Sequence, residues 1–225
     1  MLSGGGAALN GAAGGMWIKF CGLARPEDAR HAARLGVDAV GLVFYPPSPR
    51  AVALPLAREI VAELPDSVTR VGLFVHPRPA QVEEVLAALP LDLLQFHGRE
   101  TPEACRRYGL PYLKAVHCAP GADLERAATT FSDAFGILLD SFRPGAWGGT
   151  GQAFDWSRIP RLRGARIVLA GGLRPDNVAQ AIRQVSPDGV DVSSGIESAP
   201  GVKSSERMSA FVEEVRGAEH EVGFS

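Results

Sequence analysis

The chain has little cysteine: Cys21, Cys105 and Cys118 are the only three in 225 residues. An odd count at these spacings excludes a disulfide scaffold and matches no zinc pattern. Net charge is also nearly absent. Lys and Arg number 23 against 25 Asp and Glu, for a formal charge of -2, which excludes the basic surplus of a general nucleic-acid binder. No apolar run approaches the ~20 residues that span a bilayer, so no membrane partner is expected. The five histidines, His31, His76, His97, His117 and His220, form neither H-E-x-x-H nor a close pair, and no metal is expected. Residues 1–15 are mostly Gly, Ala and Ser. They lack the basic start and apolar stretch of a signal peptide, read as a flexible extension, and leave the cytoplasm as the expected compartment.

What is present is an alternation. Short β-rich runs fall at 18–21, 39–44, 70–75, 91–96, 112–116, 135–140, 167–170 and 189–192. Helical spacing fills 26–35, 56–64, 79–89, 101–108, 122–131, 156–162, 175–185 and 204–216, the sixth being short. Pro26 before Glu27 and Asp28, and Thr101-Pro102-Glu103, are helix-start signals. Strands alternating with helices imply parallel strands and right-handed crossovers. Eight such units in about 200 residues predict an α/β fold, a single-domain (β/α)8 barrel over 16–217, with a tail at 218–225. A doubly wound open sheet is disfavoured, because no G-x-G-x-x-G follows the first run.

In such a barrel, chemistry belongs at the C-terminal strand ends. Those positions hold Cys21, the loop from Tyr45 to Arg50, His76, Gln95 and His97, His117, Asp140, Gly171-Gly172 and Ser193-Ser194-Gly195. The two small-residue turns on neighbouring strands leave backbone N–H groups open to a ligand, as a phosphate site requires. Asp140 follows four residues without a charge. A carboxylate there is costly to bury ionised, so it reads as a proton donor, with turn capping or pairing to a cation as the alternative. Arg50 ends a stiff proline-rich loop and suits a ligand carboxylate. Lys19 shares strand parity with Cys21 and is expected to face inward and pair with Asp191 on the neighbouring eighth strand. Its field either favours a Cys21 thiolate or leaves only a small thiolate fraction. Cys105 and Cys118 read as small buried hydrophobes, and the glycine-rich stretch 145–151 as a lid segment.

Several motifs fall in one register: Lys19-Phe20-Cys21-Gly22, Phe44-Tyr45-Pro46-Pro47-Ser48-Pro49-Arg50, Gln95-Phe96-His97-Gly98 and Leu139-Asp140-Ser141. Gly148-Gly149-Thr150-Gly151-Gln152-Ala153-Phe154-Asp155-Trp156, Leu169-Ala170-Gly171-Gly172-Leu173-Arg174-Pro175-Asp176-Asn177 and Asp191-Val192-Ser193-Ser194-Gly195-Ile196-Glu197 follow. Together they resemble the phosphoribosylanthranilate isomerases over about 17–216. The resemblance implies an Amadori rearrangement in tryptophan biosynthesis, with Cys21 as general base and Asp140 as general acid. It implies Arg50 on the anthranilate carboxylate, Gln95 and His97 at the substrate, and phosphate at Gly171, Gly172, Ser193, Ser194 and Gly195. No cofactor is implied, because the substrate nitrogen is the electron sink. The expected partner is a small phosphosugar, and the assembly a monomer or homodimer. The alternatives are a histidine-pathway phosphoribosyl isomerase, which resembles two aspartates at strands 1 and 6, and a non-catalytic phosphosugar-binding barrel.

Overall fold

Eight parallel strands close on themselves in chain order, β1 against β8. They are β1 (Trp17–Cys21), β2 (Ala39–Val43), β3 (Thr69–Phe74), β4 (Leu93–Phe96), β5 (Tyr112–His117), β6 (Gly136–Asp140), β7 (Ile167–Leu169) and β8 (Gly189–Val192). The computed structural model describes residues 15–141, 155–162 and 164–222. The stretch 145–151 therefore lies outside the described residues, as does nearly all of the 1–15 extension.

Side-chain parity sorts each strand into two cores. Trp17, Ala39, Val71, Leu93, Leu113, Leu138 and Val168 fill the barrel interior. Ile18, Val40, Phe74, Leu94, Ile137 and Val190 take the opposite parity and pack under the helices. One inward layer is polar. Lys19 lies level with Asp191 across the β1–β8 seam, and its Nζ donates to Asp191 Oδ1 at 2.8 Å. An ion inside a barrel is tolerated only with a partner of this kind. Gly41 makes room for it. A Cβ there would sit 3.0 Å from Cys21 Sγ and 3.1 Å from Lys19 Nζ.

The helices are α1 (Pro26–Arg34), α2 (Leu54–Ala62), α3 (Pro79–Ala88), α4 (Pro102–Arg106), α5 (Leu124–Thr130), α6 (Val178–Val185) and α7 (Ser205–Val222). Each of the first four has proline in its first two positions, where the missing N–H costs nothing. Thr101 caps α4 and Asp123 caps α5.

Two sequence expectations change. The helix expected at 156–162 is a single 3-10 turn, Trp156–Arg158. Pro160 disfavours helical backbone at Ile159 and cannot donate the next bond. At the other end, the expected tail from 218 is helical, because α7 continues to Val222. Gly217 does not stop it, and Ala218 and Glu219 are buried beyond it. The Met16 amide donates to Glu219, which ties this last turn to the floor of the barrel.

Candidate active site

The strand ends surround a cavity of ≈ 320 Å³. Cys21, Arg50, Gln95, His97 and Asp140 line it, as do Gly171, Gly172, Ser193 and Ser194. Gly195 is the exception. It is buried behind the loop, and a Cβ there would run into the Leu173 carbonyl. Its missing side chain lets the β8 turn close against the β7 loop. Gly171 and Gly172 both have positive φ, +77° and +72°. Only glycine adopts two such residues in succession at little cost.

Cys21 ends β1 with its thiol turned inward, 5% exposed. Burial pushes the thiol up, and the opposing field of Lys19 does not reverse this. That direction favours the smaller thiolate fraction of the two readings the sequence left open. Burial also works against the charge on Lys19, but Asp191 and Cys21 outweigh it and hold the ammonium charged. Cys105 and Cys118 are pushed up to about 12 by burial, as inert structural thiols should be.

Asp140 ends β6, 3% exposed. Its Oδ1 accepts from the Ser141 amide at 2.8 Å, and its Oδ2 meets His97 Nε2 at 2.9 Å. Gln95 Nε2 in turn lies 3.1 Å from His97 Nδ1. The resemblance implies Gln95 and His97 at the substrate; the structure links them in a chain ending on Asp140. His117 lies beside it, its ring 5.6 Å from that of His97, and burial pushes it down. His97, His117 and Asp140 offer ligand atoms within 4.8 Å of one another. A proton between Nε2 and Oδ2 already accounts for the closest contact, and a metal would have to displace it.

Arg50 is not a solvated arginine. Its Nε and Nη2 donate to the two Glu197 oxygens at 2.7 and 2.8 Å. Glu197 begins β9 (Glu197–Ala199), which pairs with β10 (Val202–Lys203) in a hairpin before α7. Lys203 completes the cluster. Its Nζ donates to Glu197 Oε1 at 2.9 Å, the Cys21 carbonyl at 2.8 Å and the Ser193 carbonyl at 3.0 Å. Burial is the strongest influence on Glu197 and raises it, yet Arg50 and Lys203 together hold it below the usual carboxylate range.

A third buried lysine, after Lys19 and Lys203, stands on the other side. Lys114 Nζ donates to the Phe96 carbonyl at 3.3 Å, the Gly98 carbonyl at 2.6 Å and Glu100 Oε2 at 3.1 Å. Glu100 Oε1 also accepts from the His76 and Gly98 amides. This explains the left-handed backbone of His76, at φ 47°. Sequence reasoning gave Glu100, Lys114, Glu197 and Lys203 no role. Lys114 has the outward strand parity, and Lys203 lies 182 residues from the carbonyl it holds. No local pattern flags either one.

A closed parallel barrel with a buried carboxyl and a thiol facing one cavity, beside a glycine turn and a serine turn, defines a class: barrel enzymes of the acid–base type. The family model described as N-(5'phosphoribosyl)anthranilate (PRA) isomerase matches residues 18–214. The N-(5'-phosphoribosyl)anthranilate isomerase of Pseudomonas putida KT2440 is 54% identical over 200 residues, covering 89% of this chain and 97% of that one. A crystal structure of phosphoribosyl anthranilate isomerase in complex with reduced 1-(o-carboxyphenylamino)-1-deoxyribulose 5-phosphate aligns with TM-score 0.80 and 39% identity, covering 90% and 99%. Monomers generated from the dimeric Thermotoga maritima enzyme align with TM-score 0.79 and 38% identity over the same shares. The chain belongs to the N-(5'-phosphoribosyl)anthranilate isomerase family, isomerases of tryptophan biosynthesis. Among the described residues no helix is long and apolar enough to cross a membrane.

Proposed function

We propose that the cavity converts N-(5-phosphoribosyl)anthranilate to 1-(2-carboxyphenylamino)-1-deoxyribulose 5-phosphate, with Asp140 as general acid and Cys21 as general base. The observation that carries these roles is the placement of one carboxyl and one thiol on separate strand ends, β6 and β1, lining the same cavity. Asp140 protonates the furanose ring oxygen, and the ring opens to a protonated Schiff base. That iminium acidifies the C2–H bond. Cys21 removes the proton, and the enolamine tautomerises to the ketone. The substrate nitrogen donates its lone pair as the ring oxygen leaves and takes a pair back when the C2 proton is removed.

The resting thiol must lose its proton before it acts. Lys19, already held by Asp191 across the seam, lowers the cost of the thiolate when it forms. Glu197 grips the Nε–Nη2 edge of Arg50 and turns the Nη1 side to the anthranilate carboxylate. Gly171, Gly172, Ser193 and Ser194 receive the phosphate through backbone N–H and hydroxyl donors. The protein works in the cytoplasm on this small phosphosugar, as a monomer or homodimer. A histidine-pathway substrate carries two phosphates, whereas the small-residue turns among the described residues meet at one place.

The test is the loss of substrate fluorescence when the protein is added to freshly prepared phosphoribosylanthranilate. A rate above the spontaneous one is expected. No change would favour a barrel that binds phosphosugars without turning them over.

A further inference from the structure

The chain Gln95–His97–Asp140 does more than line the cavity. When Asp140 gives up its proton, a carboxylate is left at a site 3% exposed. An ion there is costly unless donors meet it. The Ser141 amide meets Oδ1, and His97 Nε2 meets Oδ2. A neutral imidazole carries its proton on either nitrogen, and the bond made by the other nitrogen decides which. Here that nitrogen is Nδ1, and the group facing it is the Gln95 amide nitrogen. Gln95 is fully buried, and its Oε1 has no partner among the described residues. A buried amide whose side-chain bond goes to this imidazole is placed to serve it.

We propose that Gln95 and His97 are positioning residues for the acid: Gln95 fixes the His97 tautomer with its proton on Nε2, and that N–H holds the Asp140 carboxylate after proton transfer. The proposal rests on Asp140 being the acid. Lys114 and His117 on β5, Cys118 after it and Ser141 after β6 surround the pair. Lys114 is committed to Glu100. Cys118, pushed up to about 12, stays neutral through the working range, and burial keeps His117 toward its neutral form.

The test has a spectroscopic arm and a kinetic arm. Long-range proton–nitrogen spectra of the ¹⁵N-labelled full chain near neutral pH should show His97 with Nε2 protonated and Nδ1 bare. Gln95→Met should give a mixture of tautomers. A wild-type ring protonated on Nδ1 overturns the proposal. In the kinetic arm, the proposal assigns the acid-side break of the kcat/KM profile to the Asp140 carboxyl. His97→Leu should move that break up by roughly one pH unit, with KM little changed. His97→Gln supplies a non-titrating N–H and should leave the break near its wild-type position. A rise in KM with an unmoved break in both variants would make His97 a substrate contact and sink the idea. The spectra need no turnover. A chain that failed to isomerise the substrate would overturn the proposed function while the spectra still judged the tautomer.

Discussion

The two sides of the cavity are built on the same device at different ranges. On the base side, Lys203 pairs with Glu197 and holds the carbonyls of Cys21 and Ser193. On the acid side, Lys114 pairs with Glu100 and holds the carbonyls of Phe96 and Gly98, flanking His97. In each, a buried ammonium neutralises a buried carboxylate and spends its other donors on backbone turns, as a buried ion pair must to be tolerated. The acid-side clamp is local, joining β4 and β5, with all partners within 18 residues. The base-side clamp joins the hairpin after β8 to β1, 182 residues away, and closes the barrel at its seam. It also recruits a third charge, Arg50. The base side therefore ties three elements together, the thiol strand, the Ser193 turn and Arg50. The acid side serves one.

The two sides should be equal where the chemistry itself is removed. Cys21→Ser and Asp140→Asn should each lower kcat by roughly 10²–10⁴-fold, the usual contribution of a positioned proton-transfer group. Binding of a phosphate-bearing product analogue should persist. Near-normal turnover in either variant would remove that residue from its role.

The clamps should separate in how their loss reads out. Lys203→Met and Lys114→Met each strip one partner from a buried glutamate. Glu197 keeps Arg50, and Glu100 keeps two backbone amides, so each loss should cost about 2–3 kcal/mol, below the cost of a charge left alone. Denaturant unfolding measures this. Activity should then divide them. Lys203→Met should raise KM and lower kcat together, because it frees both Ser193 and Cys21. Lys114→Met should act on kcat alone, through His97. The same pattern in both variants would end the distinction between a shared and a single-task clamp.

The barrel itself was legible in the sequence because strand parity and helix-start prolines are local signals. The Lys19–Asp191 pair was legible too. Parity turns Lys19 inward, closure makes β8 its neighbour, and a buried ammonium needs an anion. The clamps were not legible. Lys114 sits at an outward position, among residues that pack under the helices, and Lys203 ends a hairpin while the carbonyl it holds ends the first strand of the chain. The sixth helix was misread because Trp156 and Ile159 have helical spacing, while Pro160 denies the backbone a second turn. Gly195 was read by its size as a ligand contact. Its size also serves a close approach to Leu173, a neighbour that only the folded chain supplies.

Arg50→Ala tests whether the third charge on the base side is a reader or a strut. A reader should raise KM by roughly tenfold, the value of one hydrogen bond to a charged group, with kcat near normal. Benzoate-like competitors should weaken in parallel. A strut should lower the unfolding midpoint and leave KM unchanged.

The smallest effect is a pH dependence carried by Glu197. Arg50 and Lys203 hold its carboxyl below the usual range despite burial. A depressed folded-state carboxyl adds stability that is fully present above the unfolded carboxyl range. That stability is lost as pH falls through the folded value, at about 1.4 kcal/mol per unit of depression. Wild-type protein should therefore lose stability on acidification below about pH 4.3, the ordinary glutamate value. Glu197→Gln cannot ionise. It should be less stable near neutral pH, where the charged pair is missing, and should lose less on acidification. Unfolding curves for the two proteins should converge as pH falls, since the protonated glutamate and the glutamine are then alike. Parallel curves would assign the acid sensitivity to other carboxylates and leave the base-side clamp without a pH signature.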